Sequence, residues 1–123
     1  MKKVLVVDDH ADIRRLIRLT LDFEDFEVRE APDGPGALAV LQDWTPDAIL
    51  IDVMMPGMDG FTLCRTIRDQ PATRHIPVLF LSARGHARDT DEGLKAGGSA
   101  YLVKPFSPLQ LIHELSRASA KAA

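Results

Sequence analysis

The sequence predicts an α/β fold, a doubly wound sheet of five parallel strands, each followed by a helix. One observation is that short apolar runs alternate with longer amphipathic segments five times along the chain, which is typical of repeated strand–helix units. Another is that residues 4–7, 48–51 and 78–81 are apolar throughout, as expected of strands covered on both faces of a parallel sheet. Successive strands are then joined by right-handed crossovers.

The five predicted strands differ in how their side chains alternate. Most are continuous apolar runs, but residues 26–31, FEVREA, alternate between apolar and polar side chains. Alternation indicates a strand that is less covered on one face, so this strand is expected nearer a sheet edge. The predicted strands are residues 4–7, 26–31, 47–51, 78–81 and 100–104.

Five segments carry helical periodicity or helix-boundary signals. Asp59 is placed to N-cap the third helix, which Pro71 ends. Ser107 is placed to N-cap the last helix, with Pro108 at its first position. The fourth segment is polar and ends at a Gly-Gly pair. In the first helix, four aliphatic side chains share a face that is predicted to pack on the sheet: Ile13, Leu16, Ile17 and Leu21. The predicted helices are residues 11–24, 36–44, 60–70, 86–97 and 107–118.

The composition indicates one compact domain. A chain of 123 residues with 46% hydrophobic residues suits a single domain over residues 1–123, with 118–123 as a frayed tail or the start of a linker. A net charge of -3 offers no footprint for direct binding to nucleic acid or to an anionic membrane, and no apolar run approaches membrane-spanning length. Cys64 is the only cysteine, so it is expected as a small core residue of a cytoplasmic protein.

Polar side chains come at the ends of four predicted strands. Asp8 and Asp9 follow strand one, Asp52 ends strand three, Ser82 ends strand four and Lys104 ends strand five. The carboxyl ends of parallel strands share one edge, called here the carboxyl edge of the sheet, and open α/β sheets bind ligands there. Three neighbouring carboxylates repel one another, and a divalent cation relieves that repulsion. Oxygen ligands at an open edge suit Mg²⁺, so the sequence predicts a magnesium site.

Four sequence blocks, VLVVDD, LIDVMMPGMDG, VLFLSA and AYLVKPF, follow one another over nearly the whole chain. Their order and spacing resemble the receiver domain of response regulators in bacterial two-component signalling. The resemblance implies a flavodoxin-like (βα)5 fold. It also implies that Asp52 accepts a phosphoryl group from a histidine of a sensor kinase or of a histidine phosphotransfer protein. An output partner, or a second copy in a homodimer, would bind the face formed by helix 4, strand 5 and helix 5.

The resemblance assigns the metal ligands. Asp8 and Asp9 would bind Mg²⁺ together with Asp52 and the backbone carbonyl of Met54. His10 follows the acid pair where acidic or polar residues are more usual, so it is expected to affect metal access. The spacing of the histidines along the chain predicts no zinc site.

The phosphoryl chemistry involves three further positions. A carboxylate is a competent nucleophile toward phosphorus, and phosphoryl transfer needs in-line positioning and charge neutralisation. By resemblance, Lys104 pairs with the acceptor carboxylate and the phosphoryl group, and a cis bond to Pro105, typical of the family, turns the lysine into the site. Ser82, in place of the commoner threonine, binds a phosphoryl oxygen, and Tyr101 is the switch ring that turns inward when Ser82 moves. The protein is therefore expected to be a phosphoacceptor and not an independent enzyme.

Two side chains are expected to control how long the phosphoryl group persists. Hydrolysis needs a water in line behind the phosphorus, and Met54 and Arg84 should overlook that approach. Met54 is apolar and cannot hold a water by hydrogen bonding, and Arg84 has only donors and cannot act as a base. Both features predict slow self-hydrolysis.

Other function classes fit the sequence less well. A phosphohydrolase of the haloacid dehalogenase kind also uses an aspartyl nucleophile, but it needs a second Asp two residues on, where this chain has Met54. A flavin or dinucleotide binder would have a Gly-rich loop after strand one, where Asp8 and Asp9 would repel a phosphate. A third alternative is that the chain is a receiver domain cut from a larger regulator with a DNA-binding or enzymatic output domain.

Overall fold

The protein folds as alternating strands and helices. The structure, a computed structural model, describes residues 2–83 and 87–122, without the side chains of 87–90 and 119–122. The elements are β1 (Lys2–Val7), α1 (Ala11–Asp22), β2 (Phe26–Ala31), α2 (Gly34–Asp43), β3 (Ala48–Asp52), α3 (Gly60–Asp69), β4 (Val78–Ser82), α4 (Ala87–Lys95), β5 (Ala100–Val103) and α5 (Pro108–Ala122). All strand pairs are parallel, and the strand order is β2-β1-β3-β4-β5. The predicted fold class is confirmed, and the alternating strand β2 lies at an edge as expected.

Helices cover both faces of the sheet, so the fold is doubly wound. Alternate residues of β1, β3 and β4 point to opposite faces, as the two-residue period of a strand requires. One core lies under α2 and α3 and contains the side chains of Leu5, Ile51, Phe80, Cys64 and Ile67 among others. The other lies under α1 and α5 and is built from Val4, Val6, Leu50, Ile17, Leu115 and their neighbours. Among the described residues, no helix has the length and apolar character needed to cross a membrane.

Side-chain caps fix where helices begin, and they bear out two of the predicted caps. The Asp59 carboxylate accepts a hydrogen bond from the Thr62 N–H at 2.8 Å. The Ser107 hydroxyl accepts one from the Gln110 N–H at 3.1 Å. Each bond satisfies an N–H that the first helical turn leaves without an intrahelical partner.

Helix α2 begins earlier than the predicted residue 36. Asp33 accepts a hydrogen bond from the Gly36 N–H at 2.7 Å and N-caps a helix that starts at Gly34. Pro35 lies in the first turn, where its missing N–H costs nothing. Asp33 and Gly34, which lie before the predicted start, are thus the N-cap and the first residue of the helix.

Helix α5 continues to Ala122, past the predicted end at residue 118, and a frayed tail or linker start over 118–123 stays a prediction. One further expectation needs correction. Leu16 was predicted on the buried face of α1, but its residue surface is 61% exposed, whereas Ile17 and Leu21 are buried. Leu16 instead borders an apolar groove whose other wall is formed by Pro105 and Phe106.

Candidate functional site

The pairing of β1 with β2 sets the position of the acid pair. The Asp8 N–H continues that pairing by donating to the Ala31 carbonyl at 3.2 Å. This bond holds Asp8 inside the sheet layer, and its side chain has no exposed surface, whereas the Asp9 side chain is 27% exposed. Burying a carboxylate is unfavourable unless it is paired or hydrogen-bonded, so the environment of Asp8 has to supply partners.

Asp52 is the last residue of β3, the central strand, and is also buried. The Met54 N–H donates to its Oδ1 at 3.3 Å, so the loop after the strand turns a backbone donor toward the carboxylate. Helix α3 starts very close to this point, because a Cβ at Gly60 would lie 2.6 Å from the Asp52 carbonyl oxygen. Glycine at position 60 therefore lets the start of α3 pack against the site.

Lys104 enters the site from the end of β5. Its backbone N–H donates to the Ser82 carbonyl at 2.7 Å, and the Lys104–Pro105 peptide bond is cis, as expected. The ammonium nitrogen lies 3.4 Å from Asp8 Oδ2 and 3.7 Å from Asp52 Oδ1. The lysine thus reaches both buried acids, Asp52 as the resemblance implied and Asp8 in addition.

The charge balance leaves Asp52 in an unfavourable environment for an anion. The pKa of Asp52 is raised above its ordinary value, first by burial and then by the negative charge of Asp8. The Lys104 ammonium and the Met54 N–H oppose this shift but do not cancel it. A divalent cation would supply the missing positive charge.

The donor set fits a metal ion. One ligand atom each from Asp8, Asp9, His10 and Asp52 can be chosen so that all lie within 4.8 Å of one another. Three of these donors are carboxylate oxygens, the ligand type that Mg²⁺ prefers, and the exposure of Asp9 leaves the cluster open to solvent. The three acids predicted from the sequence therefore do converge.

His10 belongs to this cluster, whereas the sequence predicted only that it would affect metal access. Its Nδ1 lies 3.2 Å from Asp8 Oδ1 and 3.2 Å from Asp9 Oδ1. The pKa of the His10 imidazole is raised, first by the hydrogen bond to Asp8 and then by the charge of Asp9. The signal in the sequence was the position of His10 directly after the acid pair. The spacing between histidines along the chain does not reveal a ligand of this kind.

Arg14 was also missed, although it supports the acid pair. Its guanidinium donates to the Asp8 carbonyl at 2.6 Å and to Glu30 Oε1 at 3.2 Å. Arg18 pairs with the other Glu30 oxygen and donates to the Val28 carbonyl at 3.1 Å. The signal available in the sequence was a pair of arginines one helical turn apart, Arg14 and Arg18, together with an acid, Glu30, on β2.

The remaining predicted positions lie around this centre. Ser82 is fully buried at the end of β4, one residue past Leu81, which pairs with Asp52. Tyr101 is half-buried on the edge strand β5, and its ring centroid is 6.3 Å from that of Phe80. Met54, which follows Asp52 in the loop after β3, is 55% exposed to solvent. Arg84 lies outside the described residues.

Comparisons with known proteins agree on the class of this fold and site. The sequence profile described as "Response regulator receiver domain" matches residues 4–116, so the chain belongs to the receiver domains of two-component response regulators. It is 49% identical over 109 residues to the response regulator PleD of Caulobacter vibrioides, covering 89% of this chain and 24% of PleD. The chain spans about a quarter to a half of the length of the curated relatives it matches.

Solved structures give the same fold. The chemotaxis protein CheY4 of Vibrio cholerae superposes with a TM-score of 0.92 at 39% identity, covering 96% of this chain and 98% of that one. The receiver domain of the sensor histidine kinase PA1611 from Pseudomonas aeruginosa PAO1 superposes with a TM-score of 0.89 at 31% identity, covering 97% and 98% of the two chains. That structure contains a magnesium ion coordinated in its active-site cleft.

Proposed function

We propose that this domain is a phosphoacceptor switch in which Asp52 receives a phosphoryl group in a Mg²⁺-dependent reaction. The observation that carries the proposal is the arrangement of Asp52, which is buried beside Asp8 with the Lys104 ammonium within 3.7 Å of both. A buried carboxylate with a lysine beside it and an open set of oxygen ligands for Mg²⁺ is suited to accept an anionic group when the ion is bound.

In the reaction, an Oδ of Asp52 attacks the phosphorus of the donor. A bond from that oxygen to phosphorus forms, and the bond from phosphorus to the donor's imidazole nitrogen or acetyl oxygen breaks. The leaving group keeps the bonding electrons, and Asp52 becomes an acyl phosphate. The Met54 N–H already points at the carboxylate and helps hold it in one orientation during the attack.

The metal ligands are Asp8, Asp9, Asp52 and the backbone carbonyl of Met54. When bound, Mg²⁺ supplies positive charge that neutralises the phosphoryl oxygens as charge develops on them. The convergence of the three carboxylates supports this ligand set. Lys104, being monovalent and mobile, neutralises the phosphoryl group from the side of β5, and its two contacts with Asp8 and Asp52 support that role.

Phosphorylation then changes the conformation of a surface that lies apart from the acids. An ordinary phosphoresidue adds about −1.5 to −2 charge at neutral pH, and an acyl phosphate is similar. That charge draws the Ser82 hydroxyl toward the phosphoryl oxygen, Tyr101 turns into the space released, and the face of α4, β5 and α5 changes its preferred conformation. The burial of Ser82 at the site and the edge position of Tyr101 support this order.

The phosphoryl group decays slowly once formed. Met54 lies two residues past the acceptor with an exposed apolar side chain, and Arg84 is assigned the flanking position past Ser82. Neither side chain can activate a water as a base, and Arg84 would cover the phosphoryl group through charge-assisted contacts. Water is therefore poorly positioned behind the phosphorus.

The partners follow from this role. The phosphodonor is a sensor histidine kinase or a histidine phosphotransfer protein. Because several curated relatives are about twice as long or longer, residues 1–123 form a receiver unit whose output lies in an attached domain, in a separate protein, or in a homodimer through α4, β5 and α5. The test is incubation with acetyl phosphate and Mg²⁺, with or without EDTA, followed by intact mass measurement.

A further inference from the structure

His10 places a nitrogen donor inside the acid cluster. Its backbone N–H donates to Asp8 Oδ1 at 2.9 Å, which fixes the main chain at the N-cap of α1. His10 makes no side-chain capping bond to that helix. The ring lies on the side of the acids, with Nδ1 3.2 Å from a carboxylate oxygen of Asp8 and 3.2 Å from one of Asp9.

In the metal-free protein these contacts are a hydrogen bond to Asp8 and an ion pair with Asp9, and a bound ion would take the place of the shared proton. The two distances also match those expected between neighbouring ligands of one ion. Donors about 2.1 Å from a cation in tetrahedral or octahedral geometry are roughly 3.0–3.4 Å apart when adjacent, and about 4.2 Å apart when opposite. The four donor atoms of Asp8, Asp9, His10 and Asp52 all lie within 4.8 Å of one another. Small side-chain movements would therefore bring one ion into contact with all four.

The nitrogen changes which ion the cluster prefers. Carboxylate oxygens suit Mg²⁺, a hard cation, whereas imidazole suits Ni²⁺, Zn²⁺ and related transition metals. A site of three carboxylates and one imidazole combines both ligand types. Because the His10 side chain is 60% exposed, its ring can rotate toward an ion without disturbing the core.

We infer that His10 is a fourth protein ligand that makes the cluster bind a borderline transition-metal cation more tightly, while adding little to its affinity for Mg²⁺. This inference extends the proposed function, since it places the ion at the carboxylates assigned to magnesium. A transition-metal ion bound there would compete with Mg²⁺ for Asp8, Asp9 and Asp52.

The test is calorimetric titration of the metal-free protein with Ni²⁺ and, separately, with Mg²⁺. His10→Gln is expected to weaken Ni²⁺ binding about tenfold or more and to leave the Kd for Mg²⁺ nearly unchanged. His113→Gln, at an exposed histidine of α5, is the matched control and is expected to change neither. Asp9→Ala is expected to weaken both ions, because it removes a shared ligand.

A spectroscopic measurement distinguishes ligation from an indirect effect. With Cu²⁺ as the probe ion, which imidazole suits, electron spin echo modulation from an imidazole nitrogen is expected in the native protein and is expected to be absent in His10→Gln. An unchanged Ni²⁺ affinity in His10→Gln, a nitrogen signal that persists there, or Ni²⁺ binding insensitive to Asp9→Ala would overturn the inference. These measurements need no phosphorylation, so a failure of Asp52 to be labelled would count only against the proposed function.

Discussion

The ammonium nitrogen of Lys104 lies 3.4 Å from Oδ2 of Asp8, a residue 96 positions earlier in the chain. The same nitrogen lies 3.7 Å from Oδ1 of Asp52. One lysine therefore contacts two buried acids, one directly after β1 and one at the end of β3. The contact joins β5 at one edge of the sheet to the two strands at its centre, β1 and β3. Without metal, the lysine offsets part of the repulsion between the acids.

Replacing Lys104 with methionine should destabilise the metal-free protein. The Asp8 side chain is fully buried and the lysine is 23% exposed, so losing the cation should cost about 1–3 kcal/mol, less than for a fully buried pair. Urea unfolding in EDTA measures the loss. In an Asp8→Asn background the same replacement should cost less, because the amide carries no charge, and an equal loss in both backgrounds would show that the ion pair is not responsible.

Arg14 should affect metal binding through the backbone of Asp8. Arg14→Met removes the hydrogen bond to the Asp8 carbonyl and should lower both the free energy of unfolding, by about 1–2 kcal/mol, and the affinity for Mg²⁺. Arg18→Met is the matched control, since Arg18 shares the Glu30 contact but bonds the Val28 carbonyl instead. It should lower stability alone. Equal Mg²⁺ affinities in the two variants would argue against a positioning role for Arg14.

The acids and the lysine could be predicted from sequence because each follows directly from a strand end. Once residues 4–7, 48–51 and 100–103 are recognised as parallel strands, Asp8, Asp52 and Lys104 must share the carboxyl edge of the sheet. The sheet sets where the backbone of each of these residues lies, whereas the direction of the Lys104 side chain was expected from the cis bond to Pro105.

The contacts of His10, Arg14 and Leu16 could not be predicted in the same way. The direction of the His10 ring depends on loop dihedral angles, and the Arg14 contact depends on the exact register of β2 against β1. Leu16 is apolar and in phase with buried residues, but periodicity alone does not show that the wall beside it comes from Pro105 and Phe106, almost ninety residues away along the chain.

Mimicking phosphorylation should alter the backbone of α4, β5 and α5. With beryllofluoride and Mg²⁺, amide hydrogen exchange across these elements should differ from that of the metal-loaded protein alone, because the added charge at Asp52 biases a two-state equilibrium. Ser82→Ala should reduce the difference by removing the hydroxyl that couples the site to Tyr101. Identical exchange with and without the mimic in the native protein would refute the switch.

The lifetime of the phosphoryl group should depend on Met54 and Arg84. Met54→Asn and Arg84→Glu each introduce a group that can hold an attacking water, so decay of the phosphorylated protein in Mg²⁺ should be faster, and fastest in the double variant. Loss of label over time, followed by intact mass, gives the rate. Unchanged decay in the double variant would show that these side chains do not control access of water.

Asp52 is expected to accept the phosphoryl group and to require Mg²⁺ to do so. The most direct measurement is mass spectrometry of the native protein, Asp52→Asn and Asp69→Asn after incubation with acetyl phosphate, each in Mg²⁺ and in EDTA. Asp69 is an exposed acid at the end of α3 and serves as the control. One phosphoryl group should appear on the native protein and on Asp69→Asn in Mg²⁺ only, and peptide mapping should locate it at Asp52. Equal labelling in EDTA would show that Mg²⁺ is not required, and a phosphoryl group mapped to another residue would show that Asp52 is not the acceptor.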